Sequence, residues 1–144
     1  MIKRLLLIGL VLVVGIQFIP IDRTNPPVTG EIPASAAIAS ILKRSCYDCH
    51  SNETEWPWYS RVAPVAFLIA RDVHEGRRHL NFSTWTQYSQ ARQAKAVKEI
   101  GEQVAKGEMP MGIYLPMHPH ARLSDADKAA IDAWVKSSAA APAP

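Results

Sequence analysis

The feature that most constrains this chain is the pentapeptide Cys46-Tyr47-Asp48-Cys49-His50. Its C-x-x-C-H spacing is typical of the attachment of a c-type haem. Two thiols on one short turn can form thioethers with the two vinyl groups on one edge of a porphyrin, and the imidazole that follows then lies under the ring as an iron ligand. The sequence contains only these two cysteines. We therefore predict one covalent haem c, attached through Cys46 and Cys49, with His50 as the proximal axial ligand.

Three other uses of the motif are less consistent with the sequence. A structural zinc site needs about four nitrogen or sulfur ligands, and no pair of histidines follows at finger-like spacing. A thioredoxin-like C-x-x-C is expected beside a βαβ pattern, and the chain shows no strand signals. A plain disulfide, or two buried thiols, would not require His50.

Length and charge limit the remaining possibilities. A chain of 144 residues allows one domain plus a short extra element. The formal charge is +3, and Lys3 and Arg4 belong to the N-terminal segment, which leaves 14 basic and 13 acidic residues in the rest. This near balance is not the basic surface of a nucleic-acid-binding domain, so we expect no nucleic acid partner.

Residues 1–21 are predicted to form a membrane anchor or a secretory signal segment. Lys3 and Arg4 precede an apolar run, residues 5–19, in which Gln17 is the only polar side chain. A helix over residues 5–21 would be about 25 Å long, slightly less than the hydrocarbon core of a bilayer. The nearest Ala-x-Ala sequence, residues 34–36, is late for signal cleavage, which favours a retained transmembrane helix. The basic N-terminus then predicts a domain on the periplasmic side of a bacterial inner membrane, or a periplasmic protein if the segment is cleaved.

The remaining chain is predicted to be all-α. Residues 22–34 form a proline-rich linker, and residues 35–137 form a cytochrome c-like helical domain wrapped around the haem. Ser35 caps a first helix that carries both cysteines on its apolar face. Further helices are expected over residues 63–75, followed by Gly76, over 87–106, ended by Gly107, and over 123–137, capped by Ser124. Residues 138–144 are predicted to be a disordered tail.

Met109 is the predicted distal ligand of the iron. It lies in the loop sequence Gly107-Glu108-Met109-Pro110-Met111, and a thioether opposite an imidazole is typical of electron-transfer haems. Met111, Met117 and His118 remain alternatives for the sixth position, His118 or His120 giving bis-histidine ligation.

The segment Trp56-Pro57-Trp58-Tyr59 is rich in aromatic side chains. These rings either contact the haem or fill a small core. Arg61, two residues further on, is a weaker candidate for pairing with a haem propionate.

The sequence resembles the exported bacterial haem-binding domain proteins through many short blocks that occur in one order along the chain. Its order of helices, C-x-x-C-H motif and Met-Pro loop is also the one seen in class I cytochromes c. The resemblance covers roughly residues 25–136. It implies covalent haem through Cys46 and Cys49, with His50 axial, and it favours Met109 as the distal ligand. The matching blocks are Asn25-Pro26-Pro27-Val28, Cys46 to Thr54, Trp56-Pro57-Trp58-Tyr59-Ser60, Ala63-Pro64-Val65, Glu75-Gly76-Arg77, Leu80-Asn81-Phe82-Ser83, Gly107-Glu108-Met109-Pro110, His118-Pro119 and Leu123-Ser124.

The sequence thus predicts an electron-transfer module rather than an enzyme, since no paired acid and base residues are evident. It would be tethered to the membrane by its N-terminal helix and would exchange electrons with a redox protein partner that the sequence does not identify. The alternative is a haem-based gas or peroxide sensor, or a peroxidase-like protein, with a displaceable sixth ligand. Its polar distal groups would come from His74, Arg77 or His79.

Overall fold

The computed structural model describes residues 1–140, and in this part of the chain the fold is all-α, as predicted. The described residues contain no β-strand, only an isolated bridge between Gly30 and Thr84. The helices are α1 (Ile2–Gly15), α2 (Ala36–Ser45), α3 (Tyr47–His50), α4 (Val65–His79), α5 (Gln90–Lys106) and α6 (Asp125–Ala140).

The helix ends follow local capping chemistry. The hydroxyl of Ser35 accepts a hydrogen bond from the Ile38 amide at the start of α2, and Ser124 caps α6 in the same way. Gly107 ends α5 in the left-handed conformation, with φ of 71°. These three predicted caps are confirmed. Helix α5 begins later than residue 87, however, because Ser89 provides its cap.

Helix α4 continues beyond its predicted end at residue 75. Gly76 lies inside the helix and is buried, and α4 ends only at His79. The glycine was expected to stop the helix. It is needed instead for a close contact with the C-x-x-C-H turn, described below.

The core lies where α2, α5 and α6 meet the aromatic segment that follows α4. Leu42, Phe82 and Ile131 are almost completely inaccessible to solvent, and each contributes roughly 1.5–3 kcal/mol through burial. Helices α5 and α6 approach closely at Gly101, where an added Cβ would lie 3.1 Å from Cγ2 of Val135. This core leaves one side of α5 available to line a cavity.

Residues 22–34 are packed along the domain and do not form a free spacer. The Thr29 amide donates to the Ser83 carbonyl and the Trp85 amide donates to the Gly30 carbonyl, both at 2.9 Å, while Ile32 is buried in the core. Prolines exclude a helix here, but the remaining backbone groups are still free to pair with the domain.

The predicted transmembrane helix is not found. Helix α1 has 14 residues, about 21 Å at 1.5 Å per residue, and the chain tightens into a 3₁₀ turn at Ile16–Phe18 before Pro20. Among residues 1–140, no helix combines the length and the apolar character needed to cross a bilayer. At the other end, α6 extends to Ala140, so the first part of the predicted tail is helical. Residues 141–144 of that tail lie outside the described residues.

Candidate cofactor site

A cavity of about 530 Å³ lies between the C-x-x-C-H turn, α4, α5 and the loop that follows α5. This volume is within the range of about 300–1,000 Å³ typical of cofactor and ligand sites. Its walls include both cysteines, His50 and two methionines. The residues that line the cavity include Cys46, Asp48, Cys49, His50, Gly76, Phe82, Ile100, Val104, Met109, Met111 and Tyr114.

The two cysteines lie on one tight turn, with Cys46 just after α2 and Cys49 within α3, and not on the first helix as predicted. The amides of Cys49 and His50 both donate to the carbonyl of Cys46, at 3.2 and 2.9 Å. The two thiols are free, and the structure therefore does not support a disulfide between Cys46 and Cys49. Burial, with a smaller contribution from Cys49, raises the pKa of Cys46 to about 12. Burial, reinforced by Asp48 and Asp72, raises the pKa of Cys49 to about 11. Both thiols are therefore protonated and weakly nucleophilic in the folded chain.

The His50 ring is held by the end of α4. Its Nδ1 lies 3.0 Å from the Gly76 carbonyl and 3.1 Å from the Leu80 carbonyl. Two acceptors at one nitrogen require that Nδ1 carries the proton, which leaves the Nε2 lone pair available. Burial is the main influence on the pKa of His50 and lowers it, so the ring is neutral. This is the usual arrangement of a metal-binding histidine, in which a carbonyl fixes the tautomer.

Gly76 lets α4 approach the turn. A Cβ at this position would lie 2.5 Å from the Cys49 carbonyl oxygen and 3.2 Å from the Cys49 Cβ. Neither backbone atoms nor a buried turn can move away easily, so only glycine fits. The sequence contained a signal for this contact, because a glycine inside a helical pattern often has a packing reason.

Met109 and Met111 line the cavity, and Met117 and His118 do not. Met117 is largely exposed. The His118 ring stacks on Tyr114 at a centroid distance of 3.9 Å and lies within hydrogen-bonding distance of the Tyr59 hydroxyl. The structure thus brings two of the four proposed distal ligands into the cavity that contains His50.

A hydrogen bond joins the methionine loop, residues 107–117, to the C-x-x-C-H turn. The Tyr114 hydroxyl donates to Oδ2 of Asp48 over 2.5 Å. Burial, and next the hydrogen bond with the Asp48 carboxylate, raise the pKa of Tyr114 well above its ordinary value, so it stays a neutral donor. Sequence reasoning missed this contact, since Asp48 was considered only as one of the two spacer residues between the cysteines.

The other polar and aromatic candidates lie elsewhere. The segment Trp56–Tyr59 and Arg61 do not line the cavity, and Trp58 is exposed. Arg77 is engaged by the carbonyls of Ser51 and Thr24 and by the side chains of Asn25 and Thr54. His74 is exposed and bonds to the Asp22 carbonyl. His79 lines the cavity, on the same helix that supports His50.

The described residues contain no cluster of three or more histidine, cysteine or acidic side chains able to hold a metal ion, so the zinc alternative is not supported. The residues of the cavity do fit a haem. The cavity has the size of a cofactor site, its wall includes Phe82, Ile100 and Val104, and a neutral imidazole with a fixed tautomer and two thioether side chains line the same cavity.

The family model for the haem-binding domain matches residues 11–137, most of the chain. The protein therefore belongs to the haem-binding domain family, and it binds haem. The family resemblance found in the sequence is confirmed. No curated protein and no solved structure matches the chain.

Proposed function

We propose that the protein is a monohaem c-type electron-transfer protein, with thioethers at Cys46 and Cys49 and axial ligation by His50 and Met109. The observation that carries the proposal is the placement of all four side chains around one cavity, with the proton of His50 fixed on Nδ1 by two carbonyls. A bound haem supplies one-electron chemistry, and the protein supplies its ligands and surroundings.

The residues around the cavity suit electron transfer in three ways. The carbonyls of Gly76 and Leu80 hold His50 in one orientation. The side chains of Phe82, Ile100 and Val104 give part of the wall an apolar surface. Thioether side chains from the loop after α5 line the same cavity, so the chain itself can provide both axial ligands. A haem held at both axial positions would change little in geometry on oxidation or reduction.

The alternative of a gas or peroxide site is less well supported by these contacts. It needs polar side chains next to an open or displaceable coordination position. Arg77 donates four hydrogen bonds to other segments, and neither Arg77 nor His74 lines the cavity. His79 does line the cavity, but it belongs to the helix behind His50 and its side chain is 74% exposed.

We also propose that the domain works on the periplasmic side of a bacterial inner membrane. Support comes from Lys3 and Arg4 followed by the apolar run, and from the covalent haem itself, because haem c is assembled on that side. Its redox partner would be another protein of the same compartment.

The first experiment tests covalent attachment. Protein made with a cytochrome c maturation system should retain haem after acid–acetone extraction and give the pyridine haemochrome of a two-thioether haem. Replacement of both Cys46 and Cys49 by alanine should abolish retention. Colourless protein with the mass of the bare polypeptide would refute the proposal.

The second experiment tests the distal ligand. The ferric protein should show the far-red charge-transfer band of methionine-ligated haem, and Met109→Ala should remove it. Met111→Ala is the matched control, since Met111 lines the same cavity two residues away, and it should keep the band. A five-coordinate high-spin ferrous spectrum in the unmodified protein would favour the sensor alternative.

A further inference from the structure

An apolar surface patch begins beside the N-terminal segment. Trp58, Val62, Val65 and Leu68 follow one another at spacings of three or four residues across the 3₁₀ turn Trp58–Arg61 and the first turns of α4. Their exposed fractions are 72, 45, 44 and 54%. Scattered exposed apolar side chains need no explanation, but four of them within one short segment indicate an interaction surface.

Gln17 fastens the apolar run to this patch. Its Nε2 donates to the Ala63 carbonyl at 3.1 Å, and its Oε1 accepts from the Ala63 amide at 2.9 Å. Ala63 lies between Val62 and Val65, so the one polar side chain of the run is bound to the backbone in the middle of the patch. The next two residues of the run, Phe18 and Ile19, are exposed at 81 and 50%.

Further contacts keep the chain against the same side of the domain after the run ends. The Arg23 guanidinium donates to the Ser60 carbonyl at 3.2 Å, and Arg77 donates to the Thr24 carbonyl at 2.8 Å. The junction between the apolar run and the domain is thus fixed in place by bonds to Ser60 and Ala63, which belong to the same segment as the patch.

Two arginines are close to the patch in sequence. Arg61 and Arg71 are exposed, and neither forms an ion pair among the described residues. Helix α1 has no buried residue. Apolar side chains, an exposed tryptophan and neighbouring arginines together match the acyl boundary and the anionic headgroups of a lipid bilayer.

We propose that this face of the domain, formed by Trp58, Val62, Val65 and Leu68, lies on the lipid surface that receives the apolar run, with Gln17 setting the orientation. The proposal rests on the proposed membrane location and is independent of electron transfer. It gives Gln17 a specific role, because a leucine there would enter lipid equally well but could not hold Ala63.

The test uses the full chain, loaded with haem, in vesicles of phosphatidylcholine and phosphatidylglycerol that contain a phosphatidylcholine with a photoactivatable acyl chain. After illumination, mass spectrometry should find label on α1 and on residues 58–68. Ile113, which is apolar and 81% exposed in the methionine loop, is the internal control and should remain unlabelled. In Gln17→Leu, label on α1 should persist and label on residues 58–68 should fall.

Five results would overturn the proposal. Label confined to α1, or equal label on Ile113 and Leu68, would show that this face does not lie on lipid. A dimer mass in light scattering, with residues 58–68 unlabelled, would assign the face to a second copy of the chain. Undiminished label on residues 58–68 in Gln17→Leu would remove the orienting role of Gln17. Failure of the chain to float with vesicles would refute the membrane location as well. The haem content of the same protein, measured by pyridine haemochrome, would still test the haem proposal independently.

Discussion

The two walls of the cavity are built very differently. On the His50 side, a buried turn lies directly against α4, Gly76 allows backbone contact with Cys49, and two carbonyls hold one ring nitrogen. On the methionine side, residues 107–117 contain no α-helix. That loop is held mainly at its ends, by the Gln103 carbonyl, which accepts from the amides of Glu108 and Met109, and by the bond from Tyr114 to Asp48.

The difference indicates which of the two proposed iron ligands is positioned by folding of the chain alone. His50 is oriented by helix packing, without help from a cofactor. Met109 depends on a loop with two attachment points, and its position is expected to be more easily disturbed. Four substitutions test this contrast, from the largest expected effect to the smallest.

Gly76→Ala should damage the His50 wall most. The added Cβ would collide with the Cys49 carbonyl, and overpacking against backbone should lower the free energy of unfolding by at least about 2 kcal/mol. Thermal denaturation and the yield of haem-loaded protein measure the effect. Gly112→Ala is the matched control in the methionine loop, where an added Cβ meets no atom within 4 Å, and it should change stability by less than about 0.5 kcal/mol. Equal effects of the two substitutions would contradict the contrast.

Arg77→Lys should weaken the same wall by a smaller amount. A lysine keeps the charge but cannot reproduce the planar fork that contacts Ser51, Thr24, Asn25 and Thr54. We expect a loss of about 1.5–2 kcal/mol in urea denaturation. The neighbouring Arg78→Lys is the control, because Arg78 is exposed and pairs only with Glu75 among the described residues, and it should be nearly neutral.

Tyr114→Phe tests the methionine wall. Loss of the hydrogen bond to Asp48 should lower stability by about 1 kcal/mol. It should also let added imidazole displace the sixth ligand of the ferric protein more rapidly, as followed by loss of the far-red band. Tyr88→Phe is the comparison, since the Tyr88 hydroxyl accepts from the Asn81 amide and takes no part in holding the methionine loop. It should lower stability without affecting displacement; the same displacement rate in both variants would argue against a positioning role for Tyr114.

Asp127→Asn should have the smallest effect and should leave both walls unchanged. Bonds from Ser124, then from Arg44, lower the pKa of Asp127 to about 2. A carboxyl whose pKa is lower in the folded state stabilises the fold above its unfolded pKa of about 3.9, and this contribution disappears as the pH falls toward 2. The variant should therefore be less stable at pH 7, by less than about 1 kcal/mol, and should match the original protein near pH 2. A difference that persists there would rule out the charge as its cause.

The sequence predicted the parts of the site that depend on local spacing. The C-x-x-C-H turn, the caps at Ser35 and Ser124 and the position of Met109 just after α5 are set by neighbouring residues. The all-α fold and haem binding are confirmed, whereas covalent attachment and the axial ligands remain predictions that the experiments above test.

The parts that sequence reasoning missed depend on contacts between distant segments. The bond from His50 to Gly76 spans 26 residues and that from Tyr114 to Asp48 spans 66. Spacing within one segment contains no information about such pairs. The same reason explains why residues 22–34 were expected to be a free linker, since only the folded domain provides the partners of Thr29 and Gly30.

The carbonyls that hold His50 come from the C-terminal end of α4, where the peptide dipoles sum to a partial negative charge. A proton shared with such acceptors is drawn partly away from the imidazole, which makes Nε2 a stronger electron donor. If iron is bound by Nε2 as proposed, the ferric form of the haem would be stabilised more than the ferrous form, and the potential would shift downward, against the upward influence of a thioether. Helix α4 is therefore expected to lower the midpoint reduction potential of the haem as well as to hold the His50 ring in place.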